Sequence, residues 1–133
     1  MKKRLWSTLL LVASVVVVSA QTDSYVSPTG KSTNDGLSPE TPFNLVSKAI
    51  NKVEPGSTVY IMPGEYKSAV TISKDHSGTE DGYITFKAYD MTDRPRFYVG
   101  GSGKWNCLDI QASYIIIDGL ELEGYNQSFS EQD

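Results

Sequence analysis

Cysteine and histidine are nearly absent: the 133 residues hold one of each, Cys107 and His76. A lone cysteine allows no intrachain disulfide and no cysteine-based zinc site. Cys107 stands between Asn106 and Leu108, at the entry to an apolar stretch and with no basic neighbour. It therefore reads as a core residue rather than a reactive thiol. Cations are scarce too, with 12 Lys and Arg against 16 Asp and Glu. That balance argues against nucleic acid as a partner, because phosphate neutralisation needs a basic surface. The sequence has no two-residue Asn-Gly linker between strands, one of the hairpin marks that a sandwich favours. Its one long apolar run is confined to the first 20 residues.

That run has the layout of a signal peptide. Lys2, Lys3 and Arg4 precede apolar residues from Leu5 to Val18, broken by Ser7, Thr8 and Ser14. Val18-Ser19-Ala20 offers small residues to a signal peptidase, so cleavage is expected after Ala20. The run is too short for a membrane span, which needs roughly 20 apolar residues. The expectation is a secreted protein, extracellular or periplasmic, with no membrane span after cleavage. The leader holds three of the twelve cations and none of the sixteen acids, so residues 21–133 carry a formal charge of −7. Such a surface does not steer an acidic polymer. Only a local basic patch or a bridging cation could hold one.

What is present is a series of short apolar strands, each closed by Gly, Pro, Asn or Asp. Residues 21–42 read as an extended entry in which Asn34-Asp35-Gly36 marks a turn. Residues 43–53 read as a capping helix. Thr41 is its expected N-cap, Pro42 suits its first position, and Phe43, Val46, Ala49, Ile50 and Val53 form one apolar stripe. Pro55-Gly56 ends it. Strands are expected at 58–62, 69–73, 83–88, 96–99, 107–111, 114–118 and 120–123. They fall into two series at a period of roughly 25–30 residues. One comprises Val59-Tyr60-Ile61, Ile84-Thr85-Phe86 and Ile115-Ile116-Ile117. The other comprises Val70-Thr71-Ile72, Arg96-Phe97-Tyr98 and Leu120-Glu121-Leu122. Such recurrence predicts an all-β fold. It is a right-handed parallel β-helix of about three coils over 57–123, its core a stack of Val, Ile, Leu and Phe. An antiparallel sandwich is the competing fold.

On these phrases the chain resembles the N-terminal part of secreted pectate-lyase-like β-helix proteins, polysaccharide lyase family 9, and less closely family 6. The resemblance rests on Tyr25-Val26-Ser27-Pro28, Asn34 to Phe43, Lys48-Ala49-Ile50, Pro55-Gly56, Val59-Tyr60-Ile61 and Pro63-Gly64-Glu65-Tyr66. It continues through Ser77-Gly78-Thr79, Ile84 to Ala88 and Tyr114 to Gly119. It implies a secreted β-helix in a polysaccharide context and, for the parent protein, an acidic pectate-type substrate with calcium as cofactor. Members of these families are several times longer. Their calcium-binding aspartates and catalytic base lie on later coils, so no catalytic or metal-binding residue carries over to this chain. Further coils are expected beyond Asp133, with this stretch inactive alone.

Individual candidates have ordinary readings beside functional ones. A uronate lyase needs a base to take the proton beside the carboxylate and a cation to neutralise that carboxylate. Arg94-Pro95-Arg96 is the densest basic spot after the leader and could meet a sugar carboxylate, although Pro95 also marks a turn. Glu121 and Glu123 should share an outward face, with Leu120 and Leu122 inward, and Asp109 should point outward. Each could serve a metal or acid/base pair, and each fits a solvated strand face. Asn34 and Asp35 lack the spacing of an EF-hand loop. Asp75-His76-Ser77 cannot form a triad, because three adjacent residues do not converge on one atom. Trp105 and Tyr125 could stack on sugars or pack in the core. Asn126-Gln127-Ser128 is a glycosylation sequon. Two further roles remain open beside the lyase: a non-catalytic surface β-helix that binds glycans, and a small structural domain that closes its edge by self-association.

Overall fold

In a computed structural model, residues 22–100 and 106–124 are described. The expected signal peptide (residues 1–20), Lys104, Trp105, Tyr125 and the sequon lie outside them. Nine strands and one short helix follow in order: β1 (Ser24–Val26), α1 (Val46–Ile50), β2 (Thr58–Ile61), β3 (Glu65–Tyr66), β4 (Val70–Ile72), β5 (Ile84–Ala88), β6 (Arg96–Tyr98), β7 (Leu108–Ile110), β8 (Ile115–Asp118) and β9 (Glu121–Glu123). A single 3₁₀ turn, Lys74–His76, separates β4 from β5. No described helix is long and apolar enough to cross a membrane.

Among the described residues all strand pairings are parallel, and they make three sheets, ordered β1-β2-β5-β8, β3-β6-β9 and β4-β7. The chain climbs one layer per circuit, through β2-β3-β4 and then β5-β6-β7, with β1 below and β8-β9 above. This is a parallel β-helix; no sandwich hairpin is present among the described residues. Alternation along each strand fixes which side chains enter the core. Ser24, Val59, Phe86 and Ile117 stack inward in one column, and Val26, Ile61 and Ala88 in the next. Tyr66, Phe97 and Leu122 form the inward column of the second sheet, with the Tyr66 and Phe97 rings stacked at 4.8 Å. The Tyr66 hydroxyl donates to the carbonyls of Met62 (2.8 Å) and Val26 (3.2 Å), so a buried phenol is satisfied across two layers.

The expected two strand series are in fact three sheets. Arg96-Phe97-Tyr98 does not follow Val70-Thr71-Ile72. It pairs with Glu65-Tyr66 below and Glu121-Leu122-Glu123 above, while Val70-Thr71-Ile72 pairs with Leu108-Asp109-Ile110. The reason is local. β3 is only two residues long and sits inside a Pro-Gly turn phrase, so it shows no alternation to read. β1, three residues long, is likewise inconspicuous within the entry segment.

The helix is shorter than the predicted 43–53 and starts later. Phe43 is extended: its N–H donates to Tyr25 O (2.8 Å), and its carbonyl accepts from Ser27 N–H (2.9 Å). It therefore bridges to Val26 as a partial strand below β1. Leu45 occupies the N-cap position with no side-chain cap bond. Thr41 is not the cap, because its hydroxyl donates to Asp35 Oδ1 at 2.7 Å instead. The apolar stripe holds: Phe43, Val46, Ala49 and Ile50 are buried and Val53 packs against them. α1 lies against β1 and β4 and covers the lower end of the core. At the upper end, Ile117 and Leu120 are only partly buried, while Leu122 and Ile110 are 50% and 43% exposed.

Candidate functional site

Outward side chains of successive layers lie in register, so each sheet presents columns of surface groups about 4.8 Å apart. On the second sheet, Glu65, Arg96 and Glu121 form such a column. Arg96 Nη1 donates to Glu65 Oε1 at 3.1 Å, and Arg96 Nε and Nη2 both donate to Glu123 Oε2. Arg94 Nη2 donates to Glu121 Oε1 at 3.1 Å. The Arg96 guanidinium also lies 5.3 Å from the Tyr98 ring centroid. Hydrogen bonds and charge from Glu123, then Glu65, hold the Arg96 pKa above its ordinary value. The two predicted arginines and the two predicted glutamates thus meet one another. They form an exposed ion-pair ladder, with neither an unpartnered basic patch for a sugar carboxylate nor an acid pair open to a metal.

The remaining candidates are dispersed. Asp109 accepts from Gln111 Nε2 at 2.9 Å. His76 Nδ1 is 2.9 Å from Ser73 Oγ. Ser77 Oγ donates to Lys74 O and accepts from Ser113 N–H, so Asp75, His76 and Ser77 share no focus. Cys107 is buried in the core. Among the described residues, no three His, Cys, Asp or Glu side chains gather as metal ligands.

Asn34-Asp35-Gly36 is a structural clasp. Asn34 Nδ2 donates to Pro42 O (2.8 Å), and Asp35 Oδ1 accepts from the Leu37 N–H (3.0 Å) and the Thr41 hydroxyl. These bonds, the Leu37 N–H first, hold the Asp35 carboxyl below its ordinary 3.8. The folded clasp favours the carboxylate. Its contribution is therefore complete above the ordinary carboxylate range and lost as pH falls through the lower folded value. In an NMR titration, the Leu37 amide is expected to titrate below pH 3.8. Asp35→Asn is expected to abolish that inflection.

An aromatic cluster, which no sequence motif marks, occupies another face. Tyr25, Tyr60 and Lys87 lie in one outward column of the four-stranded sheet, with Asp118 above them. Tyr25 and Tyr60 stack at 5.2 Å with an interplanar angle of 16°. Tyr89, just past β5, stands across both at 6.1 and 6.4 Å. Burial first, then Tyr60 and the Asp23 carboxylate, push the Tyr25 phenol above its ordinary pKa. At the other end of β5, Tyr83 and Tyr114 meet edge to face at 5.5 Å. The only signal for these clusters in the sequence is the recurrence of Tyr at outward strand positions. Parallel register is needed to show that the rings meet.

A stack of parallel coils with three sheets, a capped lower end and surface ladders defines the chain as a parallel β-helix. The family model for the Pel9A-like, right-handed β-helix region matches residues 24–131, and the chain belongs to that family. The crystal structure of pectate lyase Pel9A superposes with a TM-score of 0.58 at 24% identity, covering 74% of this chain and 27% of that one. A rhamnogalacturonan lyase gives 0.52 at 24% identity, covering 78% and 28%. Uncharacterized protein YwoF of Bacillus subtilis (strain 168) is 41% identical over 66 residues, half of this chain and 14% of that protein. The chain thus spans about a quarter of the two lyases and a smaller part of YwoF.

Proposed function

We propose that this chain forms the opening coils of a longer secreted polysaccharide lyase. That parent cleaves an acidic, pectate-type polymer by calcium-assisted β-elimination, and these coils alone do not turn it over. Residues 1–20 serve as the secretion signal, removed after Ala20. The observation that carries the reading is family membership across residues 24–131, combined with a chain that spans about a quarter of the two lyases it superposes on.

The chemistry explains the division of labour. A base removes the proton beside the uronate carboxylate, and the glycosidic oxygen leaves from the next carbon and takes up a proton. The new double bond is conjugated to the carboxylate. A cation at the carboxylate stabilises the charge that develops. In this reading the base and the cation site lie outside these coils. Among the described residues the carboxylates do not cluster as metal ligands, and Arg94 and Arg96 are held by glutamates. The proposal assigns calcium and the base to further coils of the parent. The role left to this stretch is to cap and nucleate the stack, with α1 closing its lower end.

The test is ultraviolet absorbance of polygalacturonate incubated with the parent protein or with this chain. The parent is expected to raise absorbance with calcium and to stop on chelation, while this chain gives no rise. A parent that retains the polymer without turnover would instead assign the non-catalytic glycan-binding role.

A further inference from the structure

We infer that the outer face of the four-stranded sheet is a binding track for a neutral glycan, with Tyr89 and Tyr83 as its two stacking rings. The outward row along β5 runs Tyr83, Thr85, Lys87, Tyr89, with aromatic clusters at both ends. At about 3.3 Å per residue the backbone positions of the two rings stand roughly 20 Å apart, a span suited to a linear chain of several pyranoses. Tyr83 and Tyr89 are 45% and 47% exposed. Tyr89 is steeply inclined to both stacked rings, at 72° to Tyr25 and 88° to Tyr60. A ring so placed keeps at least one face turned away from the pair. Its backbone is fixed, because its N–H donates to Ile61 O at 2.9 Å. The platform is therefore held before any ligand arrives, which reduces the ordering cost of binding.

The charge on this face selects the ligand. Asp118 lies in register above Lys87, and Asp23 lies beside β1, where its Oδ1 accepts from Thr58 N–H. Glu40 is close enough to add to the upward push on the Tyr25 phenol. Lys87 is the one cation in the row. A polyuronate would meet more carboxylates than cations here, whereas neutral sugar hydroxyls can donate to those carboxylates while their apolar faces lie on the tyrosines. This track is thus separate from the acidic polymer proposed as the parent's substrate, and its test does not depend on lyase activity.

Affinity electrophoresis of this chain in gels containing soluble galactan, xyloglucan, arabinoxylan or polygalacturonate tests the inference. At least one neutral polymer is expected to retard the chain more than polygalacturonate does. Tyr89→Ala and Tyr83→Ala are each expected to weaken that retardation about five- to tenfold. Both rings are exposed, and a circular dichroism spectrum verifies that the variants fold. No retardation by the three neutral polymers, stronger retardation by polygalacturonate, or unchanged retardation in both variants would overturn the inference.

Discussion

Phe86→Ala is expected to lower the unfolding free energy by roughly 3–5 kcal/mol, the usual cost of emptying a large aromatic site. Phe86 is 2% exposed and sits in the interior of the largest sheet. Its inward column places Val59 directly below and Ile117 directly above. Neither neighbour can move in without breaking the ladder hydrogen bonds of its own layer, so the cavity stays open. Against a total stability of about 5–15 kcal/mol for a domain of this size, such a loss removes a large share. Urea unfolding followed by circular dichroism should show a lower midpoint with an unchanged slope. A loss below about 1 kcal/mol would mean that Phe86 does not lie between packed layers.

Gly36→Val is the second substitution expected to have a large effect, by a different mechanism. Gly36 has φ +70°, and a Cβ there would stand 2.2–2.7 Å from atoms of the Phe43 ring. That ring is 7% exposed and part of the core, so it has little freedom to swing away. The left-handed backbone costs roughly 1–2 kcal/mol for an L-residue, and overpacking adds roughly 1–3. A combined loss of about 2–5 kcal/mol is expected in the same urea experiment. Gly36→Asn separates the two contributions, since Asn tolerates the backbone but still meets the ring. It should recover only the backbone share. Full recovery by Asn would show that Phe43 does yield.

Both substitutions act at features that differ in how plainly they can be read from the amino acids. The Phe86 layer is legible because Ile84-Thr85-Phe86 and Ile115-Ile116-Ile117 carry apolar residues at strand spacing between clear turn residues. The Gly36 turn is legible in type, but not in its contact with Phe43. That contact exists because Phe43 joins the sheet beneath β1 rather than the helix. Thr41 and Pro42 are good local signals for a helix start, and tertiary hydrogen bonds from Asp35 and from the Tyr25 and Ser27 backbone override them.

The third sheet is not legible because pairing partners are set by the lengths of the excursions between strands. Thr58 pairs with Thr85, yet Val70 pairs with Leu108, a much longer interval. A single repeat length therefore groups the wrong strands. The same limitation hides the surface. Arg94 and Arg96 read as an open basic spot, since Glu65, Glu121 and Glu123 reach them only once the layers stack. Tyr25, Tyr60 and Tyr89 lie in separate segments, and only the parallel register brings the rings together.

The intact mass and N-terminal residue of the natural protein give the most direct check on the proposal that these coils open a longer secreted β-helix. The predicted result is an N-terminus at Gln21 and a mass well above the 14.6 kDa of the 133 residues. A product matching residues 21–133 alone, or one that retains residues 1–20, would contradict it.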